Sequence, residues 1–178
     1  MRDRILVAYA TDKGSTWGVA GAIAEQLAAS GVAVDVRRVG DVGSLSPYRA
    51  VVIGSAIHGG KWLPEALDFV RANQSELREL PTACFFVCTM AATEMNKKKH
   101  VVSTYLEPVR QLIKPVAEGE FAGAVLYKDY SLLWRIAMWV FLKFVRLPEG
   151  DLRDWAAIRA WSDQTRPLLV GQTTVGES

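Results

Sequence analysis

The chain has 178 residues, of which 50% are apolar, and 21 Lys and Arg stand against 19 Asp and Glu for a formal net charge of +2. One domain is the default at this length, and such a chain buries roughly 70% of its extended surface, so it needs no disulfide or metal to fold. So slight a charge excludes a bulk electrostatic case for nucleic acid as the partner. The only cysteines, Cys84 and Cys88, sit four apart in an apolar run. On a strand they share a face but lie about 13 Å apart, too far for a bridge, so two buried, reduced thiols are expected. The first apolar run leads straight into a polar turn, unlike a secretory leader, and the expected location is the cytoplasm.

In chain order, Ile5-Leu6-Val7-Ala8-Tyr9-Ala10 reads as a buried strand. It enters the turn Thr11-Asp12-Lys13-Gly14-Ser15-Thr16, and a helix leaves that turn with apolar positions at Val19, Ala20, Ile23, Ala24 and Leu27. The first amides of a helix have no partner within it, and the helix dipole places partial positive charge there. Three hydroxyls and a glycine beside those amides make an anion cradle that needs no lysine. An ordinary N-capped turn is the plainer alternative.

Gly31 ends the helix, and Val32–Arg37 alternates like an edge strand. Asp41–Tyr48 is a loop or a short helix. Ala50–Gly54 is a continuous apolar run, as in a strand buried on both faces. Ser55–Lys61 reads as a turn-rich loop, and a helix is expected from about Leu63 to Leu77 with Pro64 in its first turn. Thr82–Cys88 is a further buried strand. Thr89–Lys99 is a polar loop ending in three lysines. His100–Ile113 reads as a helix bent or interrupted at Pro108. Phe121–Tyr127 is the fifth strand, and Asp151–Leu169 a closing helix with Asp151 as its cap. Gly171–Ser178 reads as a flexible tail, giving a single domain over residues 1–170.

Five apolar strands alternating with helices imply an α/β three-layer sandwich with a parallel sheet covered on both faces. For strand order 2-1-3-4-5 a ligand sits at the C-terminal strand ends between strands one and three. The loops reaching that point are 11–16, 55–62 and 89–99. No GxGxxG follows the first strand, so a dinucleotide fingerprint is missing. Ser55–Trp62 approaches a Walker A loop but has Ser55 for its first glycine and Trp62 for its metal-binding hydroxyl. His58 and His100 match no familiar metal spacing with the two cysteines, so no metal site is expected. What remains is a planar cofactor carrying a phosphate. The phosphate would lie in the first turn, and the ring between Ala56-Ile57-His58-Gly59-Gly60 and Thr89-Met90-Ala91-Ala92, with Trp62 or His58 against it. Trp62 packed on the sheet, and His58 in solvent, are the alternatives.

The turn at 11–16 resembles the FMN phosphate loop of flavodoxins. From Arg4 to about Leu169 the chain resembles the flavodoxin-like, menaquinone-dependent protoporphyrinogen IX dehydrogenases. The resemblance is carried by Val51–Gly60, by Pro81–Val87 with the lysine-rich loop behind it, and by Phe121–Tyr127 with an insertion of about 128–150. It implies a flavodoxin-like fold and FMN held by Thr11, Asp12, Lys13, Gly14, Ser15 and Thr16. It also implies oxidation of protoporphyrinogen IX, a step of heme biosynthesis, with a membrane quinone as acceptor. His58 is the one weak candidate for a catalytic group. A flavodoxin-type electron carrier and a flavodoxin-like NAD(P)H:quinone reductase are the rival readings.

Within the insertion, Leu132–Arg146 placed on a helix brings Arg135, Lys143 and Arg146 within about 80° of one another. Leu133, Ile136, Val140, Phe141 and Phe144 cover the far side, with Trp134 and Trp139 nearer the flanks. This basic amphipathic pattern suits a membrane surface, an oligomer interface or the protein's own core. Its longest charge-free run, Ile136–Leu142, has seven residues, far short of the roughly 20 a crossing needs. A peripheral position on the inner face of the cell membrane would bring the enzyme to its lipophilic substrates. Lys97, Lys98 and Lys99, with Trp134, Arg135, Trp139 and Lys143, are the expected contacts to substrate propionates or to lipid. A solvated charge run is the plainer reading of the three lysines.

Overall fold

A computed structural model describes residues 2–12, 14–88, 103–125 and 150–171. The first strand, β1 (Arg4–Ala10), shows the logic of the core. Its side chains alternate, as strand geometry requires. Leu6, Ala8 and Ala10 enter one apolar cluster, and Ile5, Val7 and Tyr9 enter the other. Both faces are thus apolar, which only a sheet covered on both sides can satisfy.

Helix α1 (Ser15–Ala28) follows, then β2 (Ala33–Arg38), β3 (Tyr48–His58), a short β4 (Lys61–Trp62), α2 (Pro64–Ala72), α3 (Gln74–Glu79) and β5 (Thr82–Cys88). After these come α4 (Glu107–Arg110), β6 (Ala117–Ala122), β7 (Ala124–Val125), β8 (Gly150–Asp151) and α5 (Trp155–Val170). The main sheet runs β2-β1-β3-β5-β6, every neighbouring pair parallel. With β4 left out of the count, this is the expected order 2-1-3-4-5. Helices α1 and α5 cover one face, and α2, α3 and α4 the other. Among the described residues no helix is long and apolar enough to cross a membrane.

Several sequence expectations are corrected. The third strand does not stop at Gly54 but runs on to His58, so Ser55–His58 is strand rather than loop. Gly59 and Gly60, with φ of 57° and 77°, then make a two-residue turn that folds Lys61–Trp62 back antiparallel. Positive φ at both positions is what such a tight hairpin turn needs. The expected helix 63–77 is two helices, because Asn73 leaves helical geometry at φ −110° and ψ 18°. The described part of the expected helix 100–113 is a 3-10 turn, Ser103–Leu106, followed by the four-residue α4 with Pro108 in its first turn. The fifth strand begins at Ala117, four residues early, and its expected C-terminal part leaves the main sheet at Gly123. There Ala124–Val125 pairs antiparallel with Gly150–Asp151 instead. Asp151 therefore caps nothing: α5 starts later, and the Asp154 carboxylate accepts from the Ala157 amide. Both cysteine thiols are buried, with no disulfide between them. Burial, then the nearby Glu118 charge, pushes the Cys84 thiol far up, so it stays protonated. The insertion helix expected at 132–146 and the tail 172–178 lie outside the described residues.

Candidate functional site

The turn after β1 stands at the C-terminal end of the sheet, between β1 and β3, where the winding reverses. Gly14 adopts φ 86°, a conformation that disfavours any side chain, and so sets the entry angle of α1. Its amide donates to Thr11 Oγ1 at 2.9 Å. That bond spends an acceptor site of the Thr11 hydroxyl and leaves its hydrogen to point elsewhere. Among the described residues no side chain caps the helix, so the first-turn amides of α1 keep unmet donors there. Thr16, in that same turn, is 0% exposed, and its Oγ1 has no hydrogen-bond partner among the described residues. A buried hydroxyl without a partner costs about 1–3 kcal/mol. Unmet amides, an orphaned hydroxyl and a dipole end of the right sign form a donor set that fits an oxyanion, and a phosphoryl group in particular.

Beside the turn lies a cleft of about 760 Å³, lined by Thr11, Asp12, Arg38, His58, Lys61, Trp62, Leu63, Pro64 and Glu65. One wall comes from the β1 turn and the end of β2, and the other from the β3–β4 hairpin and the start of α2. Two contacts tie the walls to the turn. The Asp12 carboxylate lies 3.5 Å from His58 Nδ1, with the His58 side chain 74% exposed. Arg38 Nη2 donates to the Thr11 carbonyl at 3.5 Å. Ser55, which stands where a Walker loop would begin, is committed internally: its hydroxyl donates to the Ala56 carbonyl at 2.8 Å and accepts from the Leu63 amide at 3.0 Å.

Of the expected site residues, Thr11, Asp12, Gly14, Ser15 and Thr16 come together in one turn, and His58 and Trp62 reach the adjoining cleft. Ala56 and Ile57 are half-buried near the end of β3, and Gly59 and Gly60 form the hairpin tip. Trp62 is 2% exposed and belongs to the core beneath the cleft, with its Nε1 buried and without a partner among the described residues. Lys13, Thr89, Met90, Ala91, Ala92, Lys97, Lys98, Lys99, Trp134, Arg135, Trp139 and Lys143 lie outside the described residues. Sequence reasoning missed Arg38, Lys61 and Glu65 as cleft residues. Arg38 was findable, since it directly follows the edge strand expected at Val32–Arg37; Lys61 and Glu65 depend on the hairpin, which the two glycines signal only in retrospect. Tyr105 supports the hairpin tip rather than lining the cleft: its Cε1 would lie 3.6 Å from a Cβ placed on Gly60, and its ring meets Phe86 edge-on at 5.7 Å.

Comparison with known proteins matches residues 6–146 to the flavodoxin domain model. A protoporphyrinogen IX dehydrogenase [quinone] from Leishmania major is 28% identical over 93% of this chain and 75% of its own length. The protein of the same name from Escherichia coli K12 is 24% identical over 89% of this chain and 88% of its own. Among solved structures, a short-chain flavodoxin associated with a non-canonical PDU bacterial microcompartment superimposes with a TM-score of 0.58 at 15% identity, covering 96% of this chain and 97% of that one. With the strand order, the switch-point turn and a family match over most of its length in agreement, the chain belongs to the flavodoxin domain family.

Proposed function

We propose that the protein is an FMN-dependent oxidoreductase that oxidises protoporphyrinogen IX to protoporphyrin IX with a membrane quinone as electron acceptor. The observation that carries the cofactor assignment is Thr16: a fully buried hydroxyl that, among the described residues, has no partner, in the first turn of a helix that none of their side chains caps. The substrate assignment is supported by the two relatives named for that reaction, at 24–28% identity over most of this chain.

Bound FMN would supply the redox chemistry, taking an electron pair from the porphyrinogen and giving it to the quinone. The chain's own groups do the rest. Thr11, Ser15, Thr16 and the α1 amides hold the phosphoryl oxygens. Gly14 lets the backbone close on them. Asp12, fixed by His58, and Thr11, held by Arg38, keep the turn in register with the hairpin. Arg38 and Lys61 give the cleft walls positive charge suited to substrate carboxylates, while Asp12 and Glu65 hold the balance near neutral. Each round removes two electrons and two protons from the porphyrinogen and leaves one quinol. Three rounds complete the oxidation. Docking at the inner membrane face through residues 131–146 would bring the cleft to both lipophilic reactants, and the support for it is the basic amphipathic pattern of that stretch.

The test is anaerobic incubation of the purified protein with protoporphyrinogen and a menaquinone analogue. Growth of porphyrin fluorescence in step with quinone consumption is the expected result. A protein that carries FMN but leaves protoporphyrinogen untouched is instead a flavodoxin-type electron carrier, the reading that near-complete superposition on a short-chain flavodoxin favours.

A further inference from the structure

Of the ionisable side chains that line the cleft, Asp12, His58 and Glu65 have a structural reason to be there. Asp12 and His58 meet each other at 3.5 Å. Glu65 stands in the first turn of α2, where an acid complements the helix dipole. Arg38 and Lys61 have no such reason. Arg38 commits one of its five donors, at 3.5 Å to the Thr11 carbonyl, and Lys61 has no hydrogen bond or ion pair among the described residues. Elsewhere Arg4, Arg71, Arg110, Arg153 and Arg166 each close on a carboxylate.

The sheet register fixes where the two cations stand. Tyr9 pairs with Arg38 on one side and with Gly54 on the other. Arg38 is therefore two strands from β3, about 10 Å across the sheet. Lys61 pairs with His58, beyond Gly54 on the hairpin. Directly opposed residues of an antiparallel pair present their side chains on one face. His58 reaches Asp12 from that face, so Lys61 is turned toward the β1 turn as well. The backbones of Arg38 and Lys61 thus stand on opposite walls, of the order of 15 Å apart. One carboxylate suits so wide a pair poorly, and two carboxylates on one molecule suit it well. Between the walls, Trp62, Leu63 and Pro64 give an apolar floor.

We propose that Arg38 and Lys61 are the specificity-determining pair of the cleft, holding the two carboxylates of an apolar dicarboxylate, one from each wall, with its body over Trp62. The proposal rests on the porphyrinogen reading above, whose substrate carries two propionates on an apolar macrocycle, and it names the groups that read them.

The test titrates the purified protein with protoporphyrin IX and with its dimethyl ester, following porphyrin fluorescence, and measures turnover of the corresponding porphyrinogens. The variants are Arg38→Met, Lys61→Met, the two combined, and Arg159→Met, which removes an exposed cation of α5 outside the cleft. Wild type should prefer the diacid. Each cleft variant should weaken the diacid about fivefold, the upper end for an exposed ion pair, and the double variant about 25-fold, while the ester stays within about twofold. In turnover the losses should fall on KM of the diacid rather than on kcat. Arg159→Met should match wild type. An Arg38 that acted only through Thr11 would weaken diacid and ester alike. If the two forms weaken together, if wild type does not prefer the diacid, or if Arg159→Met matches the cleft variants, the proposal is wrong, and turnover of protoporphyrinogen would still uphold the reading beneath it. The expected binding pattern without turnover would uphold the pair and overturn that reading. Binding of neither porphyrin would overturn both.

Discussion

At the N-terminal ends of the strands the buried polar groups have found partners. Thr82, 1% exposed at the start of β5, sets its hydroxyl between the Leu77 carbonyl at 3.1 Å and the Leu80 carbonyl at 3.0 Å. Tyr48, at the start of β3, donates to Asp35 at 3.0 Å, and Arg4, at the start of β1, meets the same carboxylate at 3.1 Å. At the C-terminal ends of β1 and β3 the pattern changes: the Ser55 hydroxyl is paired, but Thr16 Oγ1 and Trp62 Nε1 are buried with no partner among the described residues, and no side chain of those residues caps α1. The third such atom among the described residues, Arg166 Nε, belongs to a guanidinium already bonded through Nη2 to the Gln26 carbonyl. One end of the sheet is finished by the protein itself. The other has buried donors unmet among the described residues, of the kind a ligand or an ordered water meets.

The largest expected effect falls on the core that both ends share. Gly54→Ala would put a Cβ 2.0 Å from Phe85 Cζ, and Phe85 in turn packs against Phe121 and Trp161. Destabilisation of about 3 kcal/mol is expected from chemical denaturation, the upper part of the range for overpacking. A mild effect would mean that this core yields more readily than its packing implies, and would remove the rigid support on which the contrast between the ends depends.

The contrast itself is tested by one substitution at each end. Thr82→Val should cost about 1–2 kcal/mol, because two buried carbonyls lose their donor. Thr16→Val removes a hydroxyl that has no partner among the described residues, so the apoprotein should keep its stability or gain up to about 1 kcal/mol. The same variant should lose at least about tenfold in FMN affinity. Equal destabilisation by the two changes would mean that Thr16 has a partner in the apoprotein and that the two ends do not differ.

Smaller effects are expected at the rim. The His58–Asp12 pair is exposed, so His58→Ala should change stability by less than about 1 kcal/mol. Asp151 gives the smallest effect, visible only in acid. Hydrogen bonds from Arg153 hold its carboxyl below the usual carboxylate range. A lowered folded-state value contributes stability above the unfolded value near pH 4 and loses it as pH falls through the folded value. The stability gap between wild type and Asp151→Asn should therefore be constant around neutrality and close below about pH 4. A gap that widens in acid would reverse the assigned sign.

Much of the fold was legible because buried parallel strands are written as unbroken apolar runs, and β1, β3 and β5 all carry one. The turn between β1 and α1 was legible because glycine and three hydroxyls sit between a strand and a helix in a few residues. What escaped was set by tertiary pairing. β3 runs past Gly54 because β5 pairs with it as far as Ala56, and β4 pairs with Ile57 and His58. The start of β6 hides in Ala117–Glu120, a stretch with no apolar run, strand-like only because it lies against β5. Asp151 looked like a cap in sequence but serves Arg153, and Arg153 reaches α1 across most of the chain, which no local pattern encodes.

The account is tested most directly by the flavin content of the protein, with FMN titrated into whatever apoprotein remains. It predicts a yellow protein that releases FMN on denaturation and takes it up again tightly, with Thr16→Val folded but poor at retaining it. A colourless protein that takes up no FMN when offered it would contradict the account at its centre.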